Sequence, residues 1–189
     1  MRKNRKDIIS KYFVHEQEIM SSIPHNAIES LVDLIEKLRF GNKTLFVAGN
    51  GGSATTSSHF ATDIGVGSVN RSNPVRVISL CDSISSITAV SNDLNYELIF
   101  EQQLKLLGQP GDLLLVISAS GNSKNLINAL GVANILGMNS FSLTGFDGGE
   151  IKKITKGNNV HIETPKGAYG LVEDIHLAIC HVITECIRS

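Results

Sequence analysis

Five short apolar runs, each followed by a stretch of helical periodicity, constrain this chain more than any other feature. The runs are 44–48, 75–80, 113–117, 140–143 and 160–163. They are nearly continuous in apolar residues, as in Leu113-Leu114-Leu115-Val116-Ile117, rather than alternating. Strands that read this way are buried on both faces, and parallel sheets bury their strands like that. Between them the periodicity predicts helices over 53–65, 83–91, 96–107, 122–136 and 149–155, and a last helix over 169–188. Strand and helix in alternation imply βαβ units. The expectation is an α/β fold with a doubly wound, five-stranded parallel sheet.

Two helices precede the first strand. Residues 7–21 carry apolar side chains at Ile8, Ile9, Tyr12, Phe13, Ile19 and Met20, and Pro24 breaks the run. Residues 26–40 form a second amphipathic pattern, stopped by Gly41-Asn42. One small sheet does not need both, so part of their apolar surface is expected to pack on another subunit. The whole chain of 189 residues reads as one domain.

The first strand runs into Gly49-Asn50-Gly51-Gly52-Ser53-Ala54, and a helix opens there. A helix start offers free N–H groups and the positive end of a dipole, and both favour an anion. Glycine lets a backbone approach that anion, though a βα turn also uses glycine for its own geometry. The third strand repeats the arrangement with Ser118-Ala119-Ser120-Gly121-Asn122-Ser123. Asn122 or Ser123 also suits an ordinary helix cap. Both loops lie at carboxyl ends of strands, where doubly wound sheets bind ligands. Together they can surround a phosphate with hydroxyls and N–H groups. Neither is followed by the lysine of a nucleoside-triphosphate loop.

His59 and Asp63 are four residues apart on a predicted helix, a spacing that suits two ligands of one metal and equally a surface ion pair. On the last helix Glu173 and His181 lie within about a quarter-turn of one face. His176 points elsewhere, and its ordinary role would be a hydrogen-bonded core or interface histidine.

Net charge is −1, so no broad basic field is available for a nucleic acid or a membrane surface. The Arg2-Lys3-Asn4-Arg5-Lys6 cluster reads as the solvated start of a helix. No apolar run is long enough to span a bilayer, and the N-terminus lacks the apolar stretch of a signal peptide. Cys81, Cys180 and Cys186 fit no zinc spacing and read as free thiols of a reducing compartment. The expectation is a cytoplasmic protein.

The two loops, His59-Phe60-Ala61, Ser91-Asn92-Asp93, Pro110-Gly111-Asp112 and Leu143-Thr144-Gly145-x-Asp147-Gly148-Gly149 occur in one order. Taken together they resemble sugar isomerase (SIS) domains of the phosphoheptose isomerase type, over nearly the whole chain. The resemblance implies a flavodoxin-like sandwich and a cytoplasmic homotetramer with shared active sites. It implies conversion of sedoheptulose 7-phosphate to D-glycero-D-manno-heptose 7-phosphate, for the heptose of lipopolysaccharide, capsule or other glycans. Carried over by position, Ser53, Ser118, Ser120 and Ser123 would hold the phosphate, with Ala119 beside them. Asn50, Gly51, Gly52, Asn92 and Asp93 would line the sugar, and Glu173 would touch it. One zinc ion would be held by His59, Asp63, Glu173 and His181.

The chain departs from that pattern at four positions. Asp63 stands for a glutamate and Glu173 for a glutamine. Gly67 stands for an active-site arginine and Gly170 for an aspartate. Isomerisation through an enediol needs a base and an acid. Asp63 is the expected base, with Glu173 as its alternative, and His181 is the expected acid. Two other readings remain. One is a non-catalytic SIS tetramer that binds the replication initiator DnaA. The other is an isomerase or sensor for a different sugar phosphate.

Overall fold

The computed structural model describes residues 4–189, so Arg2 and Lys3 of the basic cluster lie outside the described residues. Helix α1 spans Arg5–Ser21, and the Asn4 side chain caps it by accepting from the Lys6 N–H. Helix α2, His25–Gly41, ends where Asn42 takes a left-handed conformation and Lys43 N–H returns to the Leu38 carbonyl. There follow β1 (Thr44–Gly49), α3 (Gly52–Ser68), β2 (Arg76–Ser79) and α4 (Ile84–Asp93). A short 3-10 turn over Tyr96–Leu98 leads into α5 (Ile99–Leu107), then β3 (Leu113–Ser118), α6 (Lys124–Ile135) and β4 (Asn139–Thr144). The chain closes with α7 (Gly149–Ile154), β5 (Asn159–His161) and α8 (Tyr169–Arg188).

All five strands are parallel, in the order β2-β1-β3-β4-β5. The order reverses between β1 and β3, which are neighbours in the sheet but not in sequence. A crevice opens at such a point beyond the carboxyl ends of the strands. Gly49 pairs with Ile117 there, so the two glycine loops leave the sheet side by side.

Side chains alternate between the faces of a strand, and each face has its own core. Leu45, Val47, Leu113, Leu115 and Ile117 pack beneath α2, α3 and α8, against Leu31, Ile35, Phe60, Ile64, Ile175, Ile179 and Ile183. Phe46, Ala48, Leu114 and Val116 face the other way, against Phe100 and Leu104 of α5 and Leu126 and Leu130 of α6. This is why the strands read as unbroken apolar runs. Each of the larger side chains, Val, Leu, Ile or Phe, contributes about 1.5–3 kcal/mol on burial.

One predicted boundary is corrected. The helix predicted over 53–65 does not stop at Gly65-Val66-Gly67 but continues to Ser68. These glycines serve close approach instead. A β-carbon on Gly65 would stand 3.2 Å from Val77 Cγ1, and one on Gly67 would run into the Arg188 guanidinium. Helix α1 buries none of its residues, although it is 17 residues long.

Candidate functional site

The crevice between β1 and β3 holds a cavity of about 140 Å³. Asn50 and Ser53 line it from the first loop, and Ser118, Ala119, Ser120 and Ser123 from the second. Tyr169 and Glu173 close it from α8. At the head of α3, Gly51 has φ +56°, a conformation that β-carbons oppose, so the turn depends on glycine. Ser118 Oγ accepts from Gly121 N–H at 3.1 Å, and Ser120 Oγ accepts from Asn122 N–H at 3.3 Å. A hydroxyl that already accepts keeps its proton free to donate. Two more hydroxyls, of Ser53 and Ser123, line the same space. The cavity is a cluster of donors at two helix starts and suits a phosphate.

Two sets of contacts hold the loops in shape. Asn50 and Asn125 exchange side-chain amide hydrogen bonds, both at 2.9 Å, and Tyr96 donates its hydroxyl to Asn50 Oδ1 at 2.8 Å. Asn125 is only 2% exposed. The loop after β4 braces the serine loop. Ile151 N–H donates to the Gly121 carbonyl at 2.9 Å, and Glu150 N–H to Asn122 Oδ1 at 3.1 Å. The backbones meet so closely that a β-carbon on Gly121 would run into the Gly148 carbonyl. Tyr96 and Asn125 escaped the sequence reading. Their partner Asn50 lies 46 and 75 residues away, and no local spacing announces such a pair.

Further along α3, a second group of polar residues meets α8. Asp63 Oδ2 is 3.2 Å from His59 Nε2 and 3.9 Å from His181 Nε2. The two imidazoles lie edge to face with centroids 5.1 Å apart. One ligand atom from each of the three residues falls within 4.8 Å of the others. Two imidazoles and one carboxylate form a donor set that fits zinc. Both histidines are about half exposed, so the group is open to solvent on this chain.

Of the four ligands expected for zinc, the structure brings these three together. Glu173 is not among the converging atoms. Its carboxylate lies instead against Gly52 and in the serine cavity. The reason is helical geometry. Glu173 and His181 are eight residues apart, ~12 Å along the axis, and helical side chains lean toward the N-terminus. Glu173 therefore leans away from the triad. Asn92 and Asp93 also lie apart from the cavity. They are exposed at the end of α4 and hydrogen-bonded to each other at 2.8 Å.

The two glycine departures are both filled by neighbours. The Arg188 guanidinium occupies the notch at Gly67, and its Nη2 donates to the Asp63 carbonyl at 3.4 Å. Tyr12 of α1 occupies the space over Gly170, 2.9 Å from where a β-carbon would stand, and donates a hydrogen bond to Asp174. That bond, together with the nearby charge, pushes the Tyr12 hydroxyl up to about 12.

His176 differs from its expected role. It is fully buried, and neither ring nitrogen has a hydrogen-bond partner among the described residues. Burial holds its pKa down at about 4. The Thr144 backbone favours the charged form, but no bond of normal geometry links the two. Burial likewise pushes the Cys180 thiol up, and the nearby Asp63 charge adds to this. No cysteine is in a disulfide. No helix among the described residues is long and apolar enough to cross a membrane.

Comparison with known proteins agrees with this geometry. The family described as the SIS domain matches residues 11–145. The phosphoheptose isomerase of Alteromonas mediterranea is 39% identical over 166 residues, covering 87% of this chain and 83% of that protein. That of Shewanella denitrificans is 33% identical over 186 residues, covering 96% and 92%. The solved structure of the phosphoheptose isomerase GmhA from Neisseria gonorrhoeae superposes with a TM-score of 0.86 at 27% identity. It covers 97% of this chain and 98% of that one.

Proposed function

The chain belongs to the SIS-domain family and is a sugar-phosphate isomerase of the phosphoheptose isomerase type, and on that premise we propose its substrate and the duties of its residues. The substrate is sedoheptulose 7-phosphate and the product D-glycero-D-manno-heptose 7-phosphate. The observation that carries this reading is the pairing of two sites along α3. A donor-lined cavity at its start suits a phosphate, and a His-Asp-His group two to three turns further on suits the reacting carbons.

Ser53, Ser118, Ser120 and Ser123 hold the phosphate. Asn50, kept in place by Asn125 and Tyr96, aligns the loop above the sugar, with Gly51, Gly52 and Ala119 forming its walls. Asp63 takes the carbon-bound proton and returns it to the adjacent carbon. His181 moves the proton between the two oxygens. Glu173 is the alternative base while its carboxylate stands off the triad, because a carboxylate held tightly by a metal is a poor proton acceptor. His59, Asp63 and His181, with Glu173, are the residues that would hold zinc. When bound, such an ion supplies Lewis-acid stabilisation of negative charge on the substrate oxygen. Asn92 and Asp93 reach a sugar only across a subunit boundary, which accords with a homotetramer that shares its sites.

The product's use is in heptose for a surface glycan such as lipopolysaccharide or capsule, made in the cytoplasm. Free thiols at Cys81, Cys180 and Cys186 accord with a reducing compartment. The intact His-Asp-His group favours an enzyme over a non-catalytic DnaA-binding tetramer. The test is turnover of sedoheptulose 7-phosphate by Asp63→Asn and Glu173→Gln. A loss of about 10²–10⁴-fold is expected in the variant that removes the base. Undiminished turnover in both variants overturns the assignment. Metal analysis of the purified chain and of His59→Ala tests the zinc site separately.

A further inference from the structure

Glu173 is the one carboxylate of the site without a partner. Asp63 pairs with two histidines and Asp174 with Tyr12. Glu173 is half-buried and has no hydrogen-bond or ion-pair partner among the described residues. Its carboxylate lines the serine cavity and lies so close to Gly52 that a β-carbon there has no room. A negative charge is thus seated where hydroxyls and the start of α3 converge. Those donors attract an anion, and the protein's own carboxylate is one. A phosphate entering the same space meets that charge in a partly desolvated setting, where repulsion between like charges is strong.

The packing of the helices gives the carboxylate a second place to go. Helices α3 and α8 lie side by side and parallel. Gly52 faces Glu173, His59 and Asp63 face His181, and Gly67 faces Arg188. The triad offers three ligands, and a tetrahedral ion takes a fourth. Glu173 is the unpartnered carboxylate on the same seam, toward the start of both helices. Turning out of the cavity toward the triad requires only rotation about its own side-chain torsions.

We infer that Glu173 is a two-position carboxylate that makes metal and sugar phosphate bind cooperatively in this chain. Without metal it occupies the phosphate cavity and opposes the substrate. With metal at the triad it turns away, its charge is neutralised, and the cavity opens. This rests on the cavity's being the phosphate site. By linkage, phosphate must favour metal binding by the same factor that metal favours phosphate binding.

The test is calorimetric titration of inorganic phosphate into the full chain, stripped of metal or loaded with zinc. Wild type, Glu173→Gln and Ser120→Ala are compared. The amide is isosteric, and melting temperatures check that each variant is folded. In wild type, zinc is expected to tighten phosphate binding on the order of tenfold. Metal-free Glu173→Gln is expected to bind phosphate more tightly than metal-free wild type by a similar factor, with little further gain from zinc. Equal phosphate affinity of the two metal-free proteins overturns the inference, as does an equal gain from zinc in both. If Ser120→Ala still weakens phosphate binding in that case, the cavity assignment stands and the coupling alone is wrong. Phosphate binding that ignores Ser120→Ala overturns the cavity assignment and the coupling with it.

Discussion

His176 shows how one side chain sets a property of the whole enzyme. It is fully buried without a hydrogen bond, so folding favours its neutral form and lowers its pKa from 6.5 to about 4. The unfolded chain then binds the extra proton between about pH 6.5 and pH 4, and the folded chain does not. Stability is therefore full above pH 6.5 and falls as pH drops through that window, on the order of 1 kcal/mol per pH unit. His161 lies beside it with a pKa that burial also lowers, and it acts in the same direction. His176→Leu removes one of the two contributions and an unsatisfied buried group. Denaturant unfolding at pH 7.5 and at pH 5.5 checks this. The variant should be as stable as wild type or more so at the higher pH, and should lose less on acidification. An unchanged acid slope would mean that His176 does not titrate in this window.

At the scale of elements, the Tyr12–Asp174 hydrogen bond ties α1 to α8, and the bare backbone of Gly170 leaves room for the Tyr12 hydroxyl beside it. Gly170→Asp puts a carboxylate into the Tyr12 ring and beside Asp174. Hydrogen exchange over residues 5–21 should quicken in Gly170→Asp and in Tyr12→Phe, while α2 stays protected by Leu31 and Ile35. Uniform protection in both variants would show that the bond does not hold α1. The elements themselves were largely legible in the sequence, because strands buried on both faces have to be apolar throughout, and α8 was read to its observed ends. Gly65 and Gly67 misled because glycine marks both helix ends and close packing, and only the neighbours Val77 and Arg188 tell which applies. The serine cavity was legible, since both of its loops are local signals. Splitting Glu173 from His181 was not, because helical spacing does not show that Gly52 of α3 leaves room for the carboxylate away from the triad. Nor were Tyr96 and Asn125, whose partner is distant in sequence.

For the molecule as a whole, the first helix poses the main physical problem. Helices in proteins draw most of their stability from packing an apolar face, yet α1 buries none of its residues on this chain. Ile8, Ile9, Phe13 and Val14 are each more than half exposed. Burying each would contribute about 1.5–3 kcal/mol, so a second copy of the chain gains by covering them. The site has the same incompleteness. Its His-Asp-His group is open to solvent, and Asn92 and Asp93 are exposed and do not line the cavity. Both features are resolved if neighbouring chains cover α1 and complete the pocket. Ile9→Glu with Phe13→Glu should then lower the mass measured by light scattering, and isomerase activity should fall with it, although no residue of the site is altered. Activity that returns at high protein concentration would tie the loss to dissociation rather than to misfolding. A wild-type chain that is already a fully active monomer would refute the shared-site arrangement, and Asn92 and Asp93 would then have no route to the sugar.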